Sequence, residues 1–129
     1  MRRPGLGGAV VAVAVAVGGL TPACRGDART RPPSVAFGDP AKGGQAIVEY
    51  GCGSCHVIPG IRSADSLVGP PLTGFGRRSF VAGSLPNSAE NLARWIQDPP
   101  SIRPGTAMPD LGVTEVQARD IAAYLHSLR

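Results

Sequence analysis

Apolar side chains recur at the spacing of an α-helix in three segments of the 129-residue chain. The first segment starts at Asp39, a favoured N-cap residue, and continues with Pro40, which suits the first helical position. It extends over residues 41–50, where Gly43 and Gly44 each lower helix propensity by roughly 1 kcal/mol relative to alanine. We expect these two glycines to permit the close approach of another backbone.

The second and third segments carry stronger start signals. Asn87 is the predicted N-cap of the second helix, with Glu90 three residues later in capping-box position, and a proline pair ends the helix. The third helix is predicted from Thr114 to about Leu128, with Gln117 completing another capping box. The predicted apolar faces are Leu92, Trp95 and Ile96 in the second helix and Ile121, Leu125 and Leu128 in the third.

The chain between these helices has no regular pattern. Residues 57–86 and 99–113 are rich in glycine and proline and show no strand alternation, so we predict an all-α fold with three main helices and long loops. A compact domain with this much irregular chain is usually organised by a ligand. Only six residues are aromatic, which is few for a core of roughly 90 residues. Either the domain is marginally stable or something other than protein fills its centre.

The N-terminal region has the pattern of an export signal. Arg2 and Arg3 form a short positive segment, and residues 5–20 are apolar and uncharged. This stretch falls short of the roughly 20 residues needed to span a bilayer, which favours a signal peptide over residues 1–23 rather than an uncleaved anchor. The polar and aromatic neighbours of a twin-arginine signal are missing, which favours export of the unfolded chain.

Cys24 follows this apolar stretch and the small residue Ala23. Its position is similar to the processing site of bacterial lipoproteins, so we predict lipidation of Cys24 and association with a membrane. Thr21 and Pro22 depart from that pattern. Cleavage after Ala23 by an ordinary signal peptidase would instead leave an exposed free thiol.

The net charge of +4 is concentrated before the predicted domain. Residues 1–37 contain five arginines and one aspartate, whereas residues 38–129 contain eight basic and eight acidic side chains. Residues 24–37 are rich in proline and arginine and lack apolar periodicity, which predicts a flexible linker. Because the domain over residues 38–129 is formally neutral, it lacks the basic surface expected of a nucleic-acid-binding protein.

The most informative motif is Cys-Gly-Ser-Cys-His, formed by Cys52, Cys55, His56 and the residues between them. This spacing is the signature of covalent c-type haem attachment, in which two sulfurs bond the vinyl groups and the histidine ligates iron. A zinc site needs four ligands, and outside this motif only His126 remains, with no second cysteine pair. A redox dithiol is expected in a βαβ context that the chain lacks. The motif therefore predicts one covalently bound haem c.

Met108 is the predicted second axial ligand of the iron. Apart from the initiator it is the only methionine, and it lies in the loop Pro-Gly-Thr-Ala-Met-Pro over residues 104–109. A lone methionine more commonly fills a gap in a core, but this one is not spaced on a helix face. A thioether ligand favours ferrous iron and raises the reduction potential relative to two histidines. The competing ligand, His126, is predicted as a solvated surface histidine.

With these features, residues 40–129 resemble a class I cytochrome c. The resemblance rests on Gly44 and Val48, the Cys-x-x-Cys-His motif, Gly-Pro-Pro-Leu at residues 69–72, the methionine loop, and Ile121 with Tyr124 and Leu125.

The resemblance has implications for particular residues. It implies that Gly44 crosses the last helix at Tyr124 and that the carbonyl of Pro70 accepts a hydrogen bond from His56. It also implies that Arg77 lies near a haem propionate, although a plain surface arginine remains the alternative.

Residues 85–99 and the methionine loop are more specifically similar to the haem c domain fused to subunit II of some bacterial cytochrome oxidases. That similarity implies a position near the haem for Trp95, which otherwise reads as a buried aromatic on a helix face. The chain lacks the two-helix anchor, the cupredoxin-length domain and the Cys-x-x-x-Cys copper motif of that subunit. We therefore expect the haem module alone.

The resemblance implies a one-electron carrier rather than an enzyme, exported to the periplasm or the outer face of the cytoplasmic membrane. Its expected partners are a redox donor and acceptor, such as an oxidase or a dehydrogenase. Only Lys42 could contribute to a lysine docking ring, so Arg77, Arg78 or Arg103 would have to serve. Two alternatives stay open: a fixed haem subunit of a membrane complex, and a ligand-binding haem protein in which Met108 dissociates.

Overall fold

The computed structural model describes residues 37–129, so the predicted signal peptide, most of the linker and Cys24 lie outside the described residues. Within that range the chain forms four helices, two single 3₁₀ turns and one pair of two-residue strands. The helices are α1 (Pro40–Glu49), α2 (Ala89–Gln97), α3 (Pro99–Ile102) and α4 (Glu115–Ser127), the 3₁₀ turns are Cys52–Ser54 and Phe75–Arg77, and the antiparallel strands are β1 (Phe80–Val81) and β2 (Leu85–Pro86). The predicted all-α class is confirmed. None of these helices is both long enough and apolar enough to cross a membrane.

Two of the three predicted helix starts agree with the structure. The Asp39 carboxylate accepts hydrogen bonds from the backbone amides of Ala41, at 2.9 Å, and Lys42, at 3.4 Å. At the start of α4, the Thr114 hydroxyl accepts from the Gln117 amide, and the Gln117 side chain bonds back to Thr114. These interactions use amides that the helix cannot pair internally, which defines where each helix begins.

The predicted N-cap of α2 is wrong by one residue. Ser88 caps the helix, and its hydroxyl accepts from the Asn91 amide at 3.2 Å. The side chain of Asn87 is occupied elsewhere, because its amide nitrogen donates to the carbonyls of Phe75, at 3.0 Å, and Arg78, at 3.1 Å. Asparagine and serine are about equally good caps, so these tertiary hydrogen bonds decide between the neighbouring positions.

The short helix α3 and the strands β1 and β2 were not predicted. Pro99 ends α2 because it has no amide proton, but it also occupies the first position of α3, which Asp98 caps through the Ser101 amide at 3.1 Å. The strands β1 and β2 are each too short to show alternation. The turn between them uses positive φ at Ala82 and Gly83, 54° and 77°.

The core lies where α1 and α2 pack against α4. The α1–α4 crossing is so close that a Cβ atom on Gly43 would lie 2.0 Å from the carbonyl oxygen of Asp120. At Gly44 the corresponding distance is 3.2 Å, to the edge of the Tyr124 ring. The buried Asp120 carboxylate also accepts from the Asp39 amide at 2.7 Å, which fixes the start of α1 on α4.

Gly43→Ala is expected to destabilise the domain far more than Gly44→Ala. The new methyl group at Gly43 would overlap a backbone oxygen that cannot move without shifting α4, so we expect the free energy of unfolding to fall by about 3 kcal/mol. At Gly44 the ring of Tyr124 can yield slightly, and the gain in helix propensity, roughly 1 kcal/mol, offsets the tighter contact. Guanidinium unfolding of the two variants measures this difference, and equal midpoints would contradict the crossing geometry.

Candidate functional site

A cavity of about 470 Å³ lies in the centre of the domain. Its volume falls within the roughly 300–1,000 Å³ of cofactor and small-molecule sites. All three longer helices contribute to its wall, together with the loops that join them. The apolar part of the wall includes Ile47, Ile58, Phe75, Leu92, Ile121 and Leu125. A large apolar group therefore fits into this cavity, and it would add the apolar mass that a core built with only six aromatic residues lacks.

Cys52 and Cys55 lie on one wall of this cavity. Gly51 turns the chain out of α1 with a positive φ of 66°, and the following 3₁₀ turn brings the Cys55 amide within 3.3 Å of the Cys52 carbonyl. Both side chains are half-buried and neither forms a disulfide. Burial raises the pKa of the Cys52 thiol, and the nearby Cys55 adds to this effect. A Cβ on Gly53 would lie 2.8 Å from that of Ala64, so the turn packs tightly on its neighbouring loop.

His56 follows this turn and also faces the cavity. Its Nδ1 lies 2.8 Å from the carbonyl oxygen of Pro70, the partner that the resemblance implies. Because a carbonyl only accepts, Nδ1 carries the proton and the Nε2 lone pair is available to a metal. Gly69 makes this position possible, since a Cβ there would lie 2.5 Å from Cε1 of the ring. The Gly69 amide also donates to the Cys55 carbonyl at 2.6 Å.

Met108 lines the same cavity and is half-buried. Two features form its loop: a positive φ of 79° at Gly105, and a hydrogen bond of 3.3 Å from the Met108 amide to the Thr106 hydroxyl. The structure thus brings a thioether and an imidazole, 52 positions apart in the chain, to one cavity. Within residues 37–129, no cluster of three or more histidine, cysteine, aspartate or glutamate side chains could hold a metal ion.

The remaining predicted site residues differ in position. Pro70 and Trp95 line the cavity, whereas Arg77 does not and is exposed. Its neighbour Arg78 lines the cavity instead, with its guanidinium 5.0 Å from the centre of the Phe75 ring. That guanidinium donates to the carbonyl of Pro71. Arg103 also lines the cavity.

The adjacent residues Arg77 and Arg78 differ in which of them lines the cavity, and the sequence alone does not show this difference. The carbonyls of Pro71 and Thr73 hold Arg78 toward the cavity. The side chain of Arg77 packs over Gly74, where a Cβ would lie 2.7 Å from its Nη2. Arg77 is the last residue of the turn Phe75–Arg77, and Arg78 follows it directly. Nothing in the sequence marks which of the two side chains hydrogen-bonds to the carbonyls of the preceding loop.

His126 is not the solvated surface residue that was predicted. It is half-buried, its Nε2 lies 3.0 Å from Oδ1 of Asn87, and its ring stacks on Phe75 with centroids 6.2 Å apart. Burial lowers the pKa of His126, the positive Arg129 lowers it further, and Glu90 opposes both effects. His126 does not line the cavity, so the structure brings Met108 and not His126 to the site with His56.

Comparison with known proteins agrees with this architecture. The family described as cytochrome c matches residues 41–129. Cytochrome c oxidase subunit 2 of Alkalihalophilus pseudofirmus is 40% identical over 91 residues, which cover 68% of this chain and 25% of that protein. The subunit 2 proteins of Bacillus sp. strain PS3 and Bacillus subtilis are 38% and 37% identical, covering 69% and 74% of this chain and 26% and 28% of their own lengths. The chain thus spans about a quarter of the length of these relatives.

Proposed function

The chain belongs to the cytochrome c family, with haem c as its covalently bound cofactor, and from this premise we propose that it is a one-electron carrier that delivers electrons to a terminal oxidase. The observation that carries the proposal is that Cys52, Cys55, His56 and Met108 all line the central cavity of about 470 Å³. When bound, haem c supplies an iron that cycles between ferric and ferrous states.

Each of these residues has a proposed role that follows from its position. Cys52 and Cys55 hold the cofactor through thioethers, and the turn between them sets the spacing of the sulfurs. His56 presents Nε2 because Pro70 holds its Nδ1 proton. Met108 approaches on the methionine loop, and its thioether favours the reduced state. His56 and Met108 would together hold the iron, which would leave no position at the metal for a substrate.

The other residues of the cavity wall exclude water from the cofactor and supply positive charge beside it. The apolar helix faces exclude water, which disfavours the higher charge of ferric iron. Trp95 contributes a half-buried aromatic surface to this wall. Arg78 and Arg103 place guanidinium groups at the cavity, where they can pair with the carboxylates of the cofactor. This role is proposed for Arg78 in place of Arg77.

The proposed oxidase partner rests on the relatives, all three of which are named cytochrome c oxidase subunit 2. The test mixes the reduced, haem-loaded chain with a purified oxidase and follows reoxidation in air. We expect reoxidation that requires the oxidase and stops when the oxidase is inhibited. Reoxidation at the same slow rate with and without the oxidase would contradict the proposal. Stable co-purification with the oxidase would identify the chain as a fixed subunit of the complex.

Export and membrane attachment are further parts of the proposal, and they concern residues outside the described range. The charge and apolar pattern of residues 1–23 supports export, and the position of Cys24 supports lipidation. A lipid on Cys24 would hold the domain near a membrane-bound oxidase through the linker.

Cys24→Ser is expected to release the protein from membranes while leaving its haem content unchanged. Serine cannot form the thioether that links diacylglycerol to the cysteine of a lipoprotein, so the variant would lack the lipid that attaches the linker to the membrane. Fractionation of cells followed by detection of haem-bearing protein measures the effect. Ser34→Ala in the same linker is the matched control. Equal membrane association of wild type and Cys24→Ser would rule out anchoring at this residue.

A further inference from the structure

A group of polar contacts outside the cavity joins the end of α4 to the turn Phe75–Arg77. This contact is close: a Cβ on Gly76 would lie 2.2 Å from the carbonyl oxygen of His126. The Gly76 amide donates to the Leu128 carbonyl at 2.8 Å, and Arg129 donates to the Gly76 carbonyl at 3.1 Å. The ring of His126 stacks on that of Phe75, whose side chain is buried and lines the cavity, whereas His126 itself does not line it.

Hydrogen bonds determine which nitrogen of His126 can take up a proton. Asn87 uses its amide nitrogen to donate to the carbonyls of Phe75 and Arg78, so its Oδ1 must face His126 and accept. The Nε2 atom of His126 therefore carries a proton in the neutral ring, and Nδ1 is the basic atom. No buried side-chain nitrogen or oxygen lacks a partner within residues 37–129. Since Nδ1 makes no hydrogen bond to the protein there, it is open to solvent.

We propose that His126 is a redox-linked proton site, which takes up a proton at Nδ1 more readily when the haem is reduced and which, once charged, favours that reduction. The inference rests on the proposed function as an electron carrier. The electron comes from the redox donor, the proton comes from water, and the only bond formed is N–H. Since ferrous iron carries one positive charge fewer than ferric iron, it repels an imidazolium less. Linkage requires the effect to be reciprocal.

Two physical routes connect the imidazole to the cavity. The first is the direct Coulomb interaction across the single ring of Phe75, a region of low dielectric where screening by salt is weak. The second is the chain of hydrogen bonds from Nε2 through Asn87 to the carbonyls of Phe75 and Arg78. A charge on the imidazole strengthens the first bond of this chain and polarises the next two. Both routes end at residues that line the cavity.

The other charged groups around His126 keep a constant charge between about pH 5 and 8. Glu90 faces it from α2, and backbone hydrogen bonding lowers the pKa of that carboxyl, so it remains ionised. Arg129, two residues beyond the end of α4, adds a positive charge near it. Arg78 lies over the ring of Phe75, Arg77 lies in the turn Phe75–Arg77, and arginines stay protonated. Among these groups the imidazole is therefore the one whose ordinary pKa lies between these limits.

The experiment uses the full haem-loaded protein in two oxidation states. NMR titration of the His126 ring is expected to show at least a threefold higher proton affinity in the ferrous than in the ferric protein. At 59 mV per tenfold change for one electron, threefold corresponds to about 28 mV. The reduction potential should fall by about this amount as the pH rises through the titration. Equal proton affinities in the two states would overturn the proposal, and this measurement needs no variant.

Two variants imitate the neutral and the charged form of His126. His126→Gln keeps a hydrogen-bond donor for Asn87 but carries no charge, so its reduction potential should stay near the high-pH value of the wild type at every pH. His126→Lys keeps a positive charge and should hold it near the low-pH value. If the pH dependence persists unchanged in His126→Gln, another group causes it and the proposal fails. A protein that shows no reversible one-electron reduction would contradict the proposed function itself, whereas a reversible but pH-independent potential contradicts the role of His126 alone.

Discussion

Alanine in place of Met108 is expected to lower the reduction potential by on the order of 0.1–0.3 V, within the roughly 0.8 V that axial ligands span. The thioether is a soft, neutral donor that favours ferrous iron. Removing it admits water or another hard ligand, which favours the ferric state. Because Met108 lies on a loop at the cavity and contributes little to the packed core, we expect the variant to fold and to retain its haem.

Spectroelectrochemical titration of the variant and the wild type measures this change. Val116→Ala is the matched control, since Val116 is an exposed apolar residue on α4 that does not line the cavity. The control should keep the wild-type potential within the error of the titration. A Met108→Ala variant with the wild-type potential and ferrous spectrum would show that another residue is the ligand.

Replacing both Cys52 and Cys55 by alanine is expected to abolish covalent haem attachment and with it most of the stability of the domain. Without thioethers the cofactor is held only by its ligands and by apolar contacts. If it is lost, the buried apolar side chains of the cavity wall lose their packing partner. Since the free energy of unfolding of an ordinary domain is only about 5–15 kcal/mol, we expect the variant without haem to be largely unfolded.

Acid denaturation followed by solvent extraction separates covalent from non-covalent haem. The wild type should keep its haem on the polypeptide and the double variant should release it. Ser54→Ala lies between the two cysteines and is the control, because its hydroxyl bonds only to the exposed turn at Gly51 and weakly to the Cys55 sulfur. Haem that stays on the double variant after extraction would mean that attachment occurs elsewhere.

The parts of this molecule that depend on local chemistry were predictable from the sequence. The N-cap at Asp39 and the capping box of Thr114 and Gln117 involve residues only two to three positions apart, so each is complete in a short window of sequence. The spacing of the two cysteines and His56 is equally local. The sequence predicted that Gly43 permits the close approach of another backbone. It did not identify that backbone, because the partner residue, Asp120, lies far along the chain.

The parts that depend on distant contacts were not predictable. Asn87 and Ser88 are equally suitable caps, and the choice is made by the carbonyls of Phe75 and Arg78, which take the Asn87 side chain. The same loop decides that Arg78 and not Arg77 faces the cavity. His126 has the sequence setting of a surface residue but is half-buried, because the turn Phe75–Arg77 folds onto the end of α4.

In the proposed function, His56 and Met108 would both bind the iron and leave no open position at the metal. Carbon monoxide added to the reduced protein at neutral pH distinguishes this arrangement from an open one, since it binds ferrous haem wherever a position is free. We expect the absorption spectrum of the reduced wild type to stay unchanged, whereas that of Met108→Ala changes at once. Rapid, stoichiometric carbon monoxide binding by the wild type would contradict the electron-carrier function and favour a ligand-binding haem protein.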